Sequence, residues 1–290
     1  MNLPLPLSAR LQQTYGELFA SIEEGYGKLR PVTLRVNTGK TTVSRVREEF
    51  AAHGIGVRAV AWYDDALIAE NVREREVEAT QAYANGEIYL QSLSSMLPPL
   101  LLRPQAGENI LDMTAAPGGK TTQLYALSGG RALITACERD NIRYERLRYN
   151  LEKQGAMRVS ALRRDALTLD DALKFDKILL DAPCTGTGTI GAGERVRFTE
   201  EYLARCVRLQ RKLLEKAFRL LKKGGTLLYS TCSVLAQENG EAAAYAQRLG
   251  ATPVPLTLPE DIPLLPSPAG TACICPDGLY EGFFLAMFTK

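Results

Sequence analysis

From about residue 107 onward, short apolar runs alternate with longer amphipathic segments, and this rhythm limits what the chain can fold into more than any other feature. Repeated strand–helix units predict a largely parallel sheet with helices on its faces, because parallel strands must be joined by crossovers. Strands are expected at Asn109–Met113, Ala132–Glu138, Arg158–Leu162, Lys177–Asp181 and Thr226–Thr231, with two more at Thr252–Pro255 and Gly282–Thr289. Helices are expected near Gly118–Leu127, Asn141–Lys153, Leu203–Leu221 and Ala236–Arg248. In the third of these, Leu203, Val207, Leu213, Leu214, Ala217 and Leu221 form an apolar stripe. Arg205, Arg208, Lys212, Lys216 and Arg219 fall opposite, and Gly224–Gly225 is expected to end the helix with a left-handed residue.

The first hundred residues keep a different rhythm. A helix near Ser8–Ile22, a strand at Thr33–Asn37, a helix near Thr42–His53 and a strand at Val57–Tyr63 describe an α+β appendage. The expected division is an appendage over residues 1–80 and a main domain over residues 81–290. Hydrophobic residues make up 46% of the chain, enough to bury a sizeable core and to exclude a disordered polypeptide. The net charge is only +2, so a nucleic-acid partner must be held by local basic surface. Two stretches supply such surface: residues 139–164 carry eight Arg and Lys against three acids, and residues 203–223 carry eight against one. For any single Arg a solvated helix face explains the charge equally well. Arg30 and Arg35, with Trp62 nearby, are weaker candidates for the same role.

No run of about 18 apolar residues exists, which excludes a transmembrane helix. The opening MNLPLPLSAR has neither a basic region nor a long apolar stretch, so it does not read as a secretory signal and a cytoplasmic location is expected. Six irregularly spaced cysteines fit a reduced chain better than a disulfide framework. Cys273 and Cys275 lack a second ligand pair at zinc-like spacing, and no metal is expected. A monomer is the default expectation.

Five segments sit where strands end, the edge at which such sheets bind ligands. The first is DMTAAPGGKT at residues 112–121. Its small residues let the backbone approach a ligand closely. A triphosphate loop fits poorly, because Thr114 stands where that motif needs Gly and Pro117 removes an amide. The second and third segments offer Glu138, suited to ribose hydroxyls, and Asp165, suited to an adenine amino group. Either acid alone also reads as a helix cap. The fourth and fifth, DAPCTGTG at 181–188 and YSTCS at 229–233, bring Cys184 and Cys232 to one edge of the fold. Cys137 and Cys206 read as structural thiols.

On these residues the chain resembles the NSUN/RsmB family of S-adenosylmethionine-dependent RNA cytosine C5-methyltransferases. LLKKGGTLLYSTCS at 220–233 and EGFFLAMF at 281–288 carry the resemblance further, with weaker support from TLRVNT at 33–38 and GEIYLQSLSSM at 86–96. The resemblance implies a Rossmann-like fold, a mostly parallel seven-stranded sheet with an antiparallel terminal strand. It also implies S-adenosyl-L-methionine as cofactor and RNA, either tRNA or rRNA, as substrate. Thr114, Ala115, Ala116, Pro117, Gly118, Gly119 and Lys120 would wrap the methionine end of the cofactor. Glu138 would hold the ribose with support from Arg143, Asp165 would meet the adenine, and Asp181 would lie beside both cofactor and target base. Cys232 maps to the nucleophile and Cys184 to the cysteine that assists release.

The chemistry explains the residue types. C5 of cytosine is too weak a nucleophile to take a methyl directly, and a thiolate adding at C6 turns the ring into an enamine-like donor. Lys120 would favour the thiolate and Asp181 would stabilise a protonated N3. A target base must be unstacked to be reached. Two other readings compete. An inactive cofactor-binding assembly factor would have no need of both cysteines. An amino-directed methyltransferase would carry an Asn/Asp-Pro-Pro-aromatic turn instead of Asp181-Ala-Pro-Cys184.

Overall fold

In the computed structural model, which describes residues 3–290, the apolar runs become strands of one large sheet and the amphipathic segments become its helices. The N-terminal part contains α1 (Leu5–Tyr15), α2 (Phe19–Tyr26), β1 (Val32–Val36), α3 (Val43–Ala52), β2 (Gly56–Val60), β3 (Tyr63–Glu70), α4 (Glu74–Glu78), α5 (Gln81–Ala84) and β4 (Ile88–Leu90). The expected single helix over Ser8–Ile22 breaks at Gly16, whose φ of +56° no helix interior adopts. The expected strand at Val57–Tyr63 is the end of β2, a turn at Ala61–Trp62 and the start of β3.

The four strands form an antiparallel sheet in the order β2-β3-β1-β4. Alternation assigns its faces: Leu67 and Ala69 pack with Val46 and Phe50 of α3, while Ala66 and Ile68 pack with Leu93, Met96 and Leu124 of the main body. Both faces are therefore dry. The sheet takes its last strand from beyond residue 80, and Leu7, Leu11, Ile22 and Tyr26 of α1 and α2 join the core of the large sheet instead.

The main body runs α6 (Leu93–Leu102), β5 (Asn109–Asp112), α7 (Gly119–Leu127), β6 (Leu133–Glu138), α8 (Asn141–Lys153), β7 (Ser160–Arg163), β8 (Phe175–Asp181), α9 (Glu200–Leu220) and β9 (Leu221–Thr231). It closes with α10 (Gly240–Arg248), β10 (Thr252–Val254), β11 (Leu264–Leu265), β12 (Thr271–Ile274) and β13 (Phe283–Thr289). Strands β7-β6-β5-β8-β9 are parallel, and β13 adds antiparallel to β9. β10 pairs with the far edge of β13, completing seven strands of a Rossmann-like methyltransferase sheet, and β12 and β11 extend it beyond that expectation. Chain order reverses beside β5, which opens a crevice at the carboxyl ends of the strands.

Two details of α9 depart from the sequence reading. The helix ends at Leu220, because buried Leu221 turns extended to pair with Phe175; Gly224, at φ +76°, shapes a bulge within β9. Lys216, expected on the polar face, is buried, with its ammonium on the Leu169 carbonyl and Asp171.

Candidate active site

The turn from β5 to α7 is the floor of the site. Gly118 sits at φ +109°, and a Cβ on Gly119 would lie 2.8 Å from the Tyr89 ring, so glycine is required at both positions. Three side chains fix the turn, two from α8 and one from the turn itself. Arg143 Nη2 donates to the Ala116 carbonyl at 2.8 Å, Asn150 Nδ2 to the Pro117 carbonyl at 2.8 Å, and Thr114 Oγ1 to the Asp181 carbonyl at 2.8 Å. Asn150 was not visible as a site residue in the sequence, since its spacing from the turn has meaning only once α8 folds back.

Above the turn lies a cavity of about 300 Å³, bordered by Thr114, Ala115, Ala116, Pro117, Gly119, Lys120, Asp181 and Cys232. Gly118 packs instead against Leu147 of α8. Tyr89, Gln91, Glu281 and Phe283 also border the cavity, and no local motif marked them. A second, smaller cavity of about 90 Å³ shares Thr114 and is bordered by Glu138, Arg143 and Asp165. Glu138 is almost fully buried, accepts from the Asp140 amide at 2.9 Å and lies 3.6 Å from Arg143. Asp165 also caps the turn at Ala166–Thr168 through the Leu167 amide at 3.0 Å, so a capping role and a place on the cavity wall coexist.

The expected catalytic residues converge. Cys184 Sγ lies 3.2 Å from Cys232 Sγ. Lys120 Nζ donates to Asp181 Oδ2 at 2.8 Å, and Ser230 Oγ donates to Asp181 Oδ1 at 2.7 Å. Asp181 thus has both oxygens engaged, and meeting a protonated base requires it to share one of them. Burial works against the Lys120 charge, but the Asp181 carboxylate outweighs it and raises the pKa, so Lys120 stays cationic. Contact with Cys232, together with burial, pushes the Cys184 thiol well up. Burial likewise holds Cys137 and Cys273 at about 12 and Cys206 and Cys275 at about 11, as inert thiols. Among the described residues, no group of His, Cys, Asp and Glu could hold a metal ion.

The three weaker RNA candidates make contacts within the fold. Arg35 is fully buried, donating to Thr122 Oγ1 at 3.0 Å and to Gln91 Oε1 at 3.4 Å, where it ties β1 to α7. Arg30 Nε donates to the carbonyls of Asp277 and Tyr280, and Trp62 Nε1 donates to Tyr280 Oη at 3.0 Å.

Asp112, at the end of β5, borders the larger cavity and was passed over in the sequence as part of a motif. It accepts from Thr121 Oγ1 at 2.7 Å, but its Oδ1 is buried with no partner among the described residues. Burial raises its carboxyl to about 6. A raised carboxyl contributes stability below its unfolded pKa near 4 and loses it as pH rises through about 6. Asp112→Asn is therefore expected to melt roughly 5 °C above wild type at pH 8 and to lose that advantage by pH 4. Equal melting temperatures at pH 8 would refute a strained carboxylate.

Residues 99–289 match the family described as 16S rRNA methyltransferase RsmB/F, and residues 3–74 match an RsmF/B-like ferredoxin-like domain. The ribosomal RNA small subunit methyltransferase F of Shewanella loihica is 35% identical over 75% of this chain and 46% of its own length. The human 28S rRNA (cytosine(4447)-C(5))-methyltransferase is 35% identical over 75% of this chain and 28% of its own. The chain thus spans less than half the length of these curated relatives. A solved methyltransferase homolog from Pyrococcus horikoshii superposes with a TM-score of 0.87 at 33% identity, covering all of this chain and 96% of that one.

Proposed function

Since the chain belongs to the RsmB/F family of rRNA methyltransferases, we propose that it transfers a methyl group from S-adenosylmethionine to C5 of a cytosine in ribosomal RNA. The observation that carries this reading is the 3.2 Å approach of Cys184 and Cys232, with Cys232 bordering the larger cavity together with the Lys120–Asp181 pair. rRNA is favoured over tRNA because the relatives are named for rRNA.

The residues present fit the cofactor. The turn residues Thr114, Ala115, Ala116, Pro117, Gly119 and Lys120 border the larger cavity, and the unpartnered Asp112 Oδ1 offers an acceptor to the ammonium of an amino-acid moiety. Residues 114–120 would hold that end, while Glu138, supported by Arg143, and Asp165 would hold ribose and adenine in the smaller cavity. When bound, S-adenosylmethionine supplies an electrophilic methyl on a sulfonium.

The protein's own groups prepare the cytosine. Cys232 Sγ adds to C6 as a thiolate, and the electron pair of the C5–C6 bond becomes available at C5. Lys120 favours the anion by charge, and Asp181, sharing an oxygen now given to Ser230 or Lys120, stabilises a proton at N3. After C5 has gained the methyl, a water relayed by Cys184 takes the C5 proton, the C5–H electron pair restores the C5–C6 double bond, and the Sγ–C6 pair returns to Cys232 as the thiolate.

The target nucleotide must be extruded. A groove of about 880 Å³ between the small sheet and residues 189–194 joins the cavity through Leu90, Gln91, Ser92 and Glu281, and offers a route for it. The N-terminal unit, the exposed arginines of α8 and Arg205, Arg208 and Arg211 of α9 would hold the RNA backbone. The protein is proposed to act as a monomer in the cytoplasm. Among the described residues no helix is long and apolar enough to cross a membrane.

The test is incubation with methyl-tritiated S-adenosylmethionine and separately purified 16S rRNA, 23S rRNA and tRNA, followed by mapping of modified cytosines. Label at C5 of rRNA cytosine is expected. Label confined to tRNA would overturn the substrate, and label on an exocyclic amine would overturn the chemistry.

A further inference from the structure

Behind the two thiols, the turn after β9 carries Glu238 and Asn239, both buried and neither bordering either cavity. Glu238 Oε1 accepts from the Thr185 amide at 2.9 Å and from Gln210 Nε2 at 3.1 Å, and its Oε2 accepts from Thr185 Oγ1 at 2.5 Å. Gln210 Nε2 also donates to the Pro183 carbonyl at 3.0 Å, and Tyr202 Oη donates to the Cys184 carbonyl at 3.3 Å. The Cys184 loop is therefore gripped at three successive residues, with Glu238 as the central acceptor.

The next side chain grips the other thiol's segment. Asn239 Oδ1 accepts from Thr231 Oγ1 at 2.6 Å, and its Nδ2 donates to the Ser233 carbonyl at 2.8 Å, so it holds Cys232 from both flanks. Glu238 makes no ion pair among the described residues, and burying a lone carboxylate is a costly way to hold a turn. Its acceptors are nevertheless aimed at Thr185, the residue after Cys184. The pull is local and specific.

We propose that Glu238 and Asn239 form a positioning pair that sets the approach of the two sulfurs, Glu238 through the Cys184 loop and Asn239 through the Cys232 segment. This rests on the division of labour between the thiols given above. Loss of Glu238 should impair release, and loss of Asn239 should impair addition.

The test is single-turnover methylation of rRNA followed by denaturing gels for covalent protein–RNA adduct. Glu238→Gln puts an amide where Thr185 needs two acceptors. It is expected to slow turnover roughly tenfold or more, with adduct accumulating and the KM for S-adenosylmethionine unchanged. Thr185→Val should repeat that pattern without touching the buried carboxylate, and Thr185→Ser, which keeps the hydroxyl, should restore wild-type behaviour. Asn239→Ala in a Cys184→Ala background should slow adduct formation. If Cys184→Ala accumulates adduct while Glu238→Gln and Thr185→Val do not, the positioning pair is refuted and the proposed function stands. If Cys184→Ala yields neither adduct nor loss of turnover, the division between the thiols fails and the pair falls with it.

Discussion

Cys232→Ala is expected to abolish methyl transfer, by about four orders of magnitude or more, as loss of a covalent nucleophile does. The substitution removes the one thiol that borders the larger cavity beside Lys120 and Asp181. The glycine turn and Glu138, on other strands, are untouched, so binding of S-adenosylmethionine measured by equilibrium dialysis should stay within about threefold of wild type. Transfer of tritium to rRNA is the check on the first half. Turnover within tenfold of wild type would show that the ring is activated by some other group.

Cys184→Ala is expected to do the opposite at the level of the complex, accumulating a protein–RNA adduct that survives denaturing gels while multiple turnover falls on the order of 100-fold or more. The reason lies in the sulfur pair. Two thiols 3.2 Å apart carry one negative charge between them far more readily than two, and contact with Cys232 together with burial pushes the Cys184 thiol up. In the proposed mechanism Cys184 would then donate a hydrogen bond to the sulfur that leaves C6. Without it, the departing thiolate loses that stabilisation and the Sγ–C6 bond persists. Adduct formed by Cys232→Ala instead would exchange the two roles.

Much of the site was legible in the sequence because its residues lie within short, ordered segments at strand ends. Asp112 to Thr121, Asp181 to Gly188 and Tyr229 to Ser233 each read as one turn, and alternation of strand and helix placed all three at a single edge. The residues that were missed share the opposite property. Asn150, Tyr89 and Gln91 contribute from α8, β4 and the loop after it, and their contacts with the turn and α7 join residues far apart along the chain. Arg35 was misjudged for a related reason. A charged residue alternating with Leu34 and Val36 reads as the solvent face of a strand, but that face is covered by α7.

The sequence by itself determined the alternation of strands and helices in the main domain, the place of the glycine turn at a strand end and the identity of every group proposed to act on the base. These follow from local periodicity and from side-chain chemistry at fixed spacing. Only the tertiary structure decided which sulfur faces the cavity, how near the two sulfurs lie, and that adjacent residues after β9 hold both. Such distances arise where β8, β9 and α9 pack together, and contacts between segments far apart in the chain leave no period for a reader of one strand to find.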